Sequence, residues 1–131
     1  MARMYERAGT EVTAQASAAI TADTLSGGAQ TPIDIESGGN ADGAMWLDVY
    51  INVTSAPSTE ATCELYMEAS PDSTNYAAPE YCPPCAVPTS TGRIHVGPLY
   101  DLPRKCKLSI KAVGYGFTAD CTVVPRYVAD A

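Results

Sequence analysis

The clearest pattern in the chain is a regular alternation of apolar and polar residues between positions 44 and 69. One run covers residues 45–53 and a second run covers residues 61–69. A repeat of two residues buries one face of a strand and leaves the other in water. The stretch between the runs, residues 54–60, is rich in serine, threonine and proline and is typical of a loop. We therefore predict two long antiparallel strands that pair as neighbours.

Five further segments show the same repeat and are also predicted as strands. They are residues 11–22, 31–36, 92–100, 105–112 and 117–123. Residues 11–22 are also compatible with a short Ala-rich helix, but Thr13, Ser17 and Thr21 are poor helix formers and favour the strand. Residues 77–91 contain four prolines, which cannot donate to a ladder, so this segment is predicted as an ordered surface loop or an edge strand. About seven or eight strands without a convincing helix predict an all-β fold, an antiparallel β-sandwich of jelly-roll or immunoglobulin-like topology.

The ends of the chain give two more predictions. Residues 1–10 lack the alternation and are predicted to form an extended N-terminal arm, with residues 11–131 as a single domain. Gly114-Tyr115-Gly116 predicts a hairpin between the last two strands, in which Lys107 and Asp120 would form a weak cross-strand ion pair. Pro125 is predicted to end the pairing and to leave residues 126–131 as a short tail.

Composition changes this picture in one respect. Leu, Ile, Val and Phe together make only 22 of 131 residues, whereas folded chains usually hold at least about 20% of these types. Disorder is nevertheless excluded, because the net charge of −7 is modest for the length and the alternation is too regular. A fold with so little aliphatic bulk gains stability from burial against other subunits, which favours a component of an assembly.

Charge is distributed unevenly along the chain. Residues 1–65 carry nine acids and two bases, whereas residues 66–131 carry six of each. An acidic chain argues against nucleic-acid binding, which needs clustered Lys and Arg. No stretch approaches the roughly 20 apolar residues of a membrane span, and residues 1–9 are charged and do not lead into the apolar run of a signal peptide. Asn52-Val53-Thr54 matches the glycosylation sequon, but it lies within a predicted strand and is interpreted as a chance match.

Two sets of residues are candidates for binding a partner. The first set is a cluster of basic residues within positions 104–111. It has two interpretations: a solvated outer face, or a docking stripe for an acidic surface of a neighbouring subunit. The second set lies in the N-terminal arm. A chain terminus usually frays unless something holds it, and contact with a neighbouring subunit could hold this arm. The predicted partner-binding residues are Arg104, Lys105, Lys107 and Lys111 in the cluster and Arg3, Tyr5 and Arg7 in the arm.

The chain has five cysteines, a residue type that serves in redox chemistry and in metal binding. Cys82-Pro83-Pro84-Cys85 has the spacing of both kinds of site, but no helix follows to lower a thiol pKa and no second ligand pair is present to complete a zinc site. A local disulfide or thiols in a loop are the favoured interpretation. Cys63, Cys106 and Cys121 lie on the apolar phase of their strands and are predicted to be buried. We predict no metal and no cofactor.

No catalytic residue is predicted, and the chain is not expected to be an enzyme. His95 is the single histidine, its strand phase is outward, and no nucleophile accompanies it, so a surface position is favoured. Glu64 and Glu68 flank Tyr66 on one predicted strand face. Carboxylate and aromatic side chains of this kind occur in carbohydrate-binding sandwiches, and paired carboxylates in glycosidases. The alternative function is therefore a tail-fibre or carbohydrate-binding module that uses one outward face, formed by Trp46, Tyr50, Glu64, Tyr66 and Glu68.

The segment 63–76, Cys-Glu-Leu-Tyr-Met-Glu-Ala-Ser-Pro-Asp-Ser-Thr-Asn-Tyr, is similar to a strand and turn found in virion proteins of tailed bacteriophages. With its size, acidity and all-β pattern, the chain resembles a capsid decoration (cement) protein. The resemblance implies a small sandwich that sits on the outside of the capsid as a dimer or trimer and bridges major capsid proteins. It also implies synthesis in the host cytoplasm. Many weak interfaces repeated around a symmetric shell would hold such a protein firmly.

Overall fold

The structure is a computed structural model of the 131-residue chain. It describes residues 4–23, 29–70, 72, 74–77 and 80–130, except for the side chains of residues 4–5, 80–85 and 129–130. The described residues form nine strands and no helix. The strands are β1 Met4–Ala8, β2 Val12–Ile20, β3 Ile33–Asp34, β4 Trp46–Ser55, β5 Ala61–Ser70, β6 Glu80–Val87, β7 Gly92–Leu99, β8 Lys105–Val113 and β9 Phe117–Asp130.

Two antiparallel sheets are packed face to face, which confirms the predicted β-sandwich. The first sheet has the order β1-β9-β4-β7, with β2 also paired to β9, and the second has the order β3-β8-β5-β6. Each strand from β2 to β5 pairs with one from β6 to β9, in the combinations β2 with β9, β3 with β8, β4 with β7 and β5 with β6. The chain is therefore one long antiparallel ribbon rolled into a sandwich, which is the jelly-roll topology.

The core lies between the sheets and consists of the apolar phase of each strand. Alternate residues of β4, from Leu47 to Val53, are buried against alternate residues of β5, β8 and β9. Cys63, Cys106 and Cys121 are among these buried residues, as predicted. Small side chains such as Ala112 and Ala119 are fully buried, so the sheets form a close-packed core with few large aliphatic residues.

The predicted pairing of neighbouring strands is wrong at two places. β4 and β5 lie in opposite sheets, and so do β8 and β9. Alternation shows that one face of a strand is buried, but it does not show which strand lies beside it. The Lys107–Asp120 pair is wrong for the same reason, because Lys107 lies opposite Glu68 on β5 and Asp120 lies opposite Asn52 on β4.

The predicted tail after Pro125 is also wrong, because β9 continues to Asp130 and pairs with β1. The carbonyl of Pro125 accepts the N–H of Gly9 at 2.7 Å, so this residue directs its backbone groups toward β1 and β2. An N–H at this position would point to the same side, toward the gap between β1 and β2. The N–H that proline lacks therefore costs little strand pairing at this position. The described part of the predicted arm is therefore the edge strand β1.

Two other segments refine the predictions. Residues 77–91 contain β6, which is the edge strand of the second sheet, in agreement with the edge alternative. The alternation predicted for residues 11–22 is broken by register shifts in β2, where Gln15 becomes fully buried and Ala16 is exposed. The Gln15 side chain accepts the backbone N–H of Ile110 at 3.1 Å and so covers part of the β8 edge.

Candidate binding face on the first sheet

The outward side chains of the first sheet form a connected group that we call the aromatic face. Because β4 lies between β9 and β7, its outward residues contact side chains from both neighbours. The strand order also places β1 beside β9, so the outward residue Glu6 of β1 lies next to β9. The aromatic face consists of Glu6, Trp46, Asp48, Tyr50, Arg93, His95 and Arg126, with Glu11 and Tyr100 at its margins.

Asp48 is the most enclosed charge on this face, with a side chain only 13% exposed. Arg126 Nε donates to its Oδ2 at 2.6 Å, and His95 Nε2 lies 3.2 Å from its Oδ1. The hydrogen bond to Asp48 is the main cause of a raised pKa at Arg126. Arg126 also lies 3.5 Å from Glu6, so this group joins β1, β9, β4 and β7. The result is a fixed arrangement of side chains on an outer surface.

Tyr50 occupies the middle of the aromatic face and contacts cationic and aromatic groups. The guanidinium carbon of Arg93 is 3.8 Å from the centre of the Tyr50 ring, a cation–π geometry. The His95 ring is 4.9 Å from the same ring, centre to centre. Arg93 also forms an ion pair with Glu11, whose carboxylate is the main cause of the raised pKa of Arg93. Tyr50 and Arg93 are thus held in place by several partners.

One end of the face carries exposed apolar side chains. Trp46 and Tyr100 have their ring centres 6.3 Å apart, and Tyr100 is 60% exposed. Met45 precedes β4 and is 61% exposed, so its predicted inward position is wrong. Its N–H donates to the Arg126 carbonyl at 2.8 Å, where β4 pairing ends. Exposed side chains of this size next to one another are typical of binding surfaces.

The single outward face predicted from Trp46, Tyr50 and the Glu64 group does not exist. Trp46 and Tyr50 lie on the first sheet, whereas Glu64, Tyr66 and Glu68 lie on β5 in the second sheet. The two groups therefore point away from each other on opposite sides of the sandwich. On its own side, Tyr66 donates to Glu64 at 3.3 Å, and partial desolvation followed by the Glu64 charge raises the pKa of Tyr66.

The predicted basic stripe lies on the outer face of the second sheet, where acids oppose it. Lys107 lies opposite Glu68 and Lys111 lies opposite Glu64 in the strand register. Lys105 lies opposite Ser70, and Arg104 forms an ion pair with Glu36. The Lys107 Nζ is also 4.3 Å from the centre of the Tyr76 ring. This surface therefore carries mixed charge, and the docking role predicted for the basic residues stays a prediction.

The predicted contacts of the arm are described only in part. Arg3 and the side chain of Tyr5 lie outside the described residues. Arg7 is exposed and lines an open cleft of about 420 Å³ together with Thr10, Asn40 and Tyr127. Asp42 also lines the cleft. No ligand chemistry follows from this lining alone, because one arginine, one carboxylate and a few neutral polar groups suit many molecules.

Segment 63–76, which carries the resemblance to virion proteins, forms β5 and a turn stabilised by hydrogen bonds. The Asp72 carboxylate accepts the backbone N–H groups of Thr74 and Asn75 at 2.9 and 2.8 Å. These two bonds, led by Asn75, hold the pKa of Asp72 well below its usual range. The Ala77 N–H then donates to Ala69, and Tyr76 reaches Lys107. The acid and the aromatic residue of this motif therefore have structural roles in the turn.

The remaining candidates form no second site among the side chains that the structure describes. Cys82 and Cys85 lie on β6, but their side chains are outside the described part, so their chemistry stays a prediction. His95 is at the surface, as predicted, and contacts Asp48 and Tyr50. The Asn52 amide donates to Asp120 at 2.6 Å within the sheet. Among the described residues, no group of three acidic, histidine or cysteine side chains could hold a metal ion, and no helix is long and apolar enough to cross a membrane.

The alternation in the sequence placed Trp46, Tyr50 and His95 outward, but Arg126 and Tyr100 were missed as members of the aromatic face. The sequence pattern predicts Arg126 in a tail and Tyr100 at the end of a strand, and only the strand order brings both beside β4. Comparisons of this chain with protein-family models, with curated proteins and with solved structures find no match.

Proposed function

We propose that this protein is a decoration protein of a tailed-bacteriophage capsid, which binds the outside of the shell and stabilises contacts between major capsid proteins. The observation that carries the proposal is the aromatic face, a broad group of Trp, Tyr and Arg side chains across adjacent strands. These residue types dominate the energetics of protein–protein interfaces. A face of this kind suits attachment to a large protein surface, and the proposal assigns no catalytic activity to the protein.

The fold supports the proposal at a coarser level. Jelly rolls recur in viral capsid proteins, although a fold alone does not establish a function. Two exposed sheet edges contain prolines, Pro83 and Pro84 on β6 and Pro98 on β7, and proline discourages the addition of another strand. Attachment through a sheet face is therefore favoured over attachment through these edges.

The resemblance of segment 63–76 to virion proteins is a further support. The turn after β5 is fixed by Asp72, and a rigid loop of this kind is a feature that related sandwiches could share without sharing a partner. Under the proposal, the protein is made in the host cytoplasm and assembles as a dimer or trimer on the capsid exterior. Small individual interfaces then suffice, because many copies act together on a symmetric shell.

The proposal is tested by incubating the purified protein with shells assembled from the major capsid protein of the phage that encodes it. Co-sedimentation should show saturable binding with a fixed number of copies per shell. Image reconstruction should then place the sandwich on the outer surface. A protein that remains entirely in the supernatant at micromolar concentration, with intact shells in the pellet, would refute the proposal.

A second candidate function is carbohydrate binding, and the Trp46–Tyr100 pair specifically favours it. Exposed aromatic rings stack on sugars, and the neighbouring Asp48 and His95 could bind hydroxyl groups. Jelly rolls also occur in lectin domains. A glycan-binding screen with the wild-type protein tests this function, with Trp46→Ala as the control that should lose binding. Absence of any glycan signal would leave shell attachment as the function of the aromatic face.

A further inference from the structure

We infer that the protein meets the capsid with the outer face of its first sheet, leaves the second sheet toward solvent, and recognises a basic surface that carries an apolar patch at one side. This inference rests on the proposed function, since it names the docking face and the chemistry of the partner. It differs from the sequence-based prediction, in which the lysines of the second sheet formed the docking stripe.

The two outer faces differ in the side chains that they present. The aromatic face presents Trp46, Tyr50 and Arg126, and residues of these types form most interface hot spots. The second sheet presents lysines opposite glutamates, such as Lys111 opposite Glu64. Lys and Glu are depleted at interfaces, because burying them costs desolvation and side-chain entropy. The composition therefore selects the first sheet as the face that becomes buried.

The aromatic face is also organised before any partner arrives. Arg126 is held by Asp48 and Glu6, and Arg93 is held by Glu11 and by the Tyr50 ring. Side chains that are already fixed lose little conformational entropy on binding, so more of the contact energy remains as affinity. On the second sheet, Lys107 and Lys111 are half-buried and lie opposite single carboxylates, and Lys107 also contacts the Tyr76 ring, so each is held by fewer partners than Arg126.

The charge of the aromatic face specifies the partner. The described carboxylates on the outer side of the first sheet are those of Glu6, Glu11 and Asp48 in the aromatic face and of Asp120 beside it on β9. They outnumber the two guanidinium groups of Arg93 and Arg126. The whole chain carries a net charge of −7 in addition. A second copy that docked through this same face would therefore be repelled, whereas a basic surface would be attracted and approach faster at low salt. The half-buried ring of Trp46 and the exposed ring of Tyr100 supply the apolar contact at one end.

The test compares matched substitutions on the two faces in the shell-binding assay. Trp46→Ala and Tyr100→Ala remove aromatic rings from the first sheet, and Tyr66→Ala removes one from the second. Thermal unfolding confirms that each variant folds. We expect Trp46→Ala to weaken binding about 30-fold, which corresponds to a hot-spot loss of about 2 kcal/mol. Tyr66→Ala should stay within about twofold of the wild type. If Trp46→Ala unfolds, Tyr100→Ala carries the same comparison.

Charge is tested separately with Glu11→Gln and with salt. Removing this carboxylate from the margin of the face should slow association, and raising the salt from about 50 to 500 mM should weaken wild-type binding. Binding that strengthens with salt, or that is reduced by Tyr66→Ala and Lys107→Ala instead, would overturn the inference while leaving the proposed function intact. Wild-type protein that binds no shells would overturn both. Self-association that depends on Trp46, or glycan binding in place of shell binding, would assign the face to another occupant.

Discussion

Replacement of Asp48 gives the most direct measure of how the aromatic face is held together. Its carboxylate lies on an outer face, yet its side chain is only 13% exposed and that of its partner Arg126 is 24% exposed. The Arg126 hydrogen bond at 2.6 Å is charge-assisted and of good length. We therefore predict that Asp48→Ala destabilises the protein measurably, although the residue contributes nothing to the core.

The expected magnitude follows from the contacts that are lost. A hydrogen bond to a charged group contributes about 1.5–3 kcal/mol, and the more exposed His95 contact adds only about 0.3 kcal/mol. Arg126 keeps Glu6 at 3.5 Å, which recovers part of the loss. The net expectation is a decrease of about 2 kcal/mol in the free energy of unfolding. For a chain of this length, that decrease lowers Tm by about 8 °C.

Urea unfolding of Asp48→Ala, Arg126→Ala and the double variant measures the interaction itself. The double-mutant cycle should give a coupling free energy of about 1–2 kcal/mol between the two side chains. The matched control is Glu68 with Lys107, which are opposite each other on the exposed second sheet and should couple by less than about 0.5 kcal/mol. If Asp48→Ala is within about 0.5 kcal/mol of the wild type, Asp48 does not hold the face together and the reasoning fails.

Three further predictions concern the core, a buried amide and the turn. Leu47→Ala opens a cavity in the core between the sheets and should cost about 2–5 kcal/mol in urea unfolding. Gln15→Ala leaves the buried Ile110 N–H without this acceptor and should cost about 1–3 kcal/mol in the same measurement. Asp72 has a lowered pKa in the folded state, so it stabilises the turn above its unfolded-state pKa, near 3.9, and loses this effect as pH falls. Asp72→Asn should therefore have a lower Tm than the wild type at pH 7, with a gap that shrinks as pH falls below about 4.

Each of these has an outcome that would contradict it. Leu47→Ala with wild-type stability would show that β4 does not pack against the second sheet. A silent Gln15→Ala would show that β2 does not cover the β8 edge. A gap in Tm between Asp72→Asn and the wild type that widens with acid would reverse the sign expected for a lowered pKa.

The fold class could be predicted from the sequence because the alternation of apolar and polar residues reflects which side chains are buried. In β4, the alternate residues from Leu47 to Val53 are buried as the pattern requires. The sequence was not sufficient for strand order, since the five-residue connection 56–60 and the three-residue connection 114–116 are short enough to suggest hairpins. Both connections instead cross between sheets, because the rolled ribbon pairs β4 with β7 and β8 with β3.

Predictions based on single residues were also wrong where contacts with other strands determine the structure. Pro125 is a strong breaker in sequence, but its missing N–H falls at the one place where the edge strand is itself interrupted. Gln15 sits at an irregularity of β2 that no periodic pattern could indicate, and its burial is tolerated because its amide bonds the β8 backbone. At both positions, the backbone groups that face the residue, and not its intrinsic strand propensity, determine whether the residue is tolerated.

The aromatic face could not be derived from the sequence because its members are distant from one another along the chain. Glu6, Asp48, Arg93 and Arg126 come from four strands, and no two of them are closer than 33 positions in sequence. They meet only because β9 and β7 flank β4 and because β1 continues the edge of β9. The same order sends Glu64 and Tyr66 to the opposite side. A change that displaced β9 would therefore separate Arg126 from Asp48 and Glu6 together, so the aromatic face and the jelly-roll pairing should be lost in a single transition.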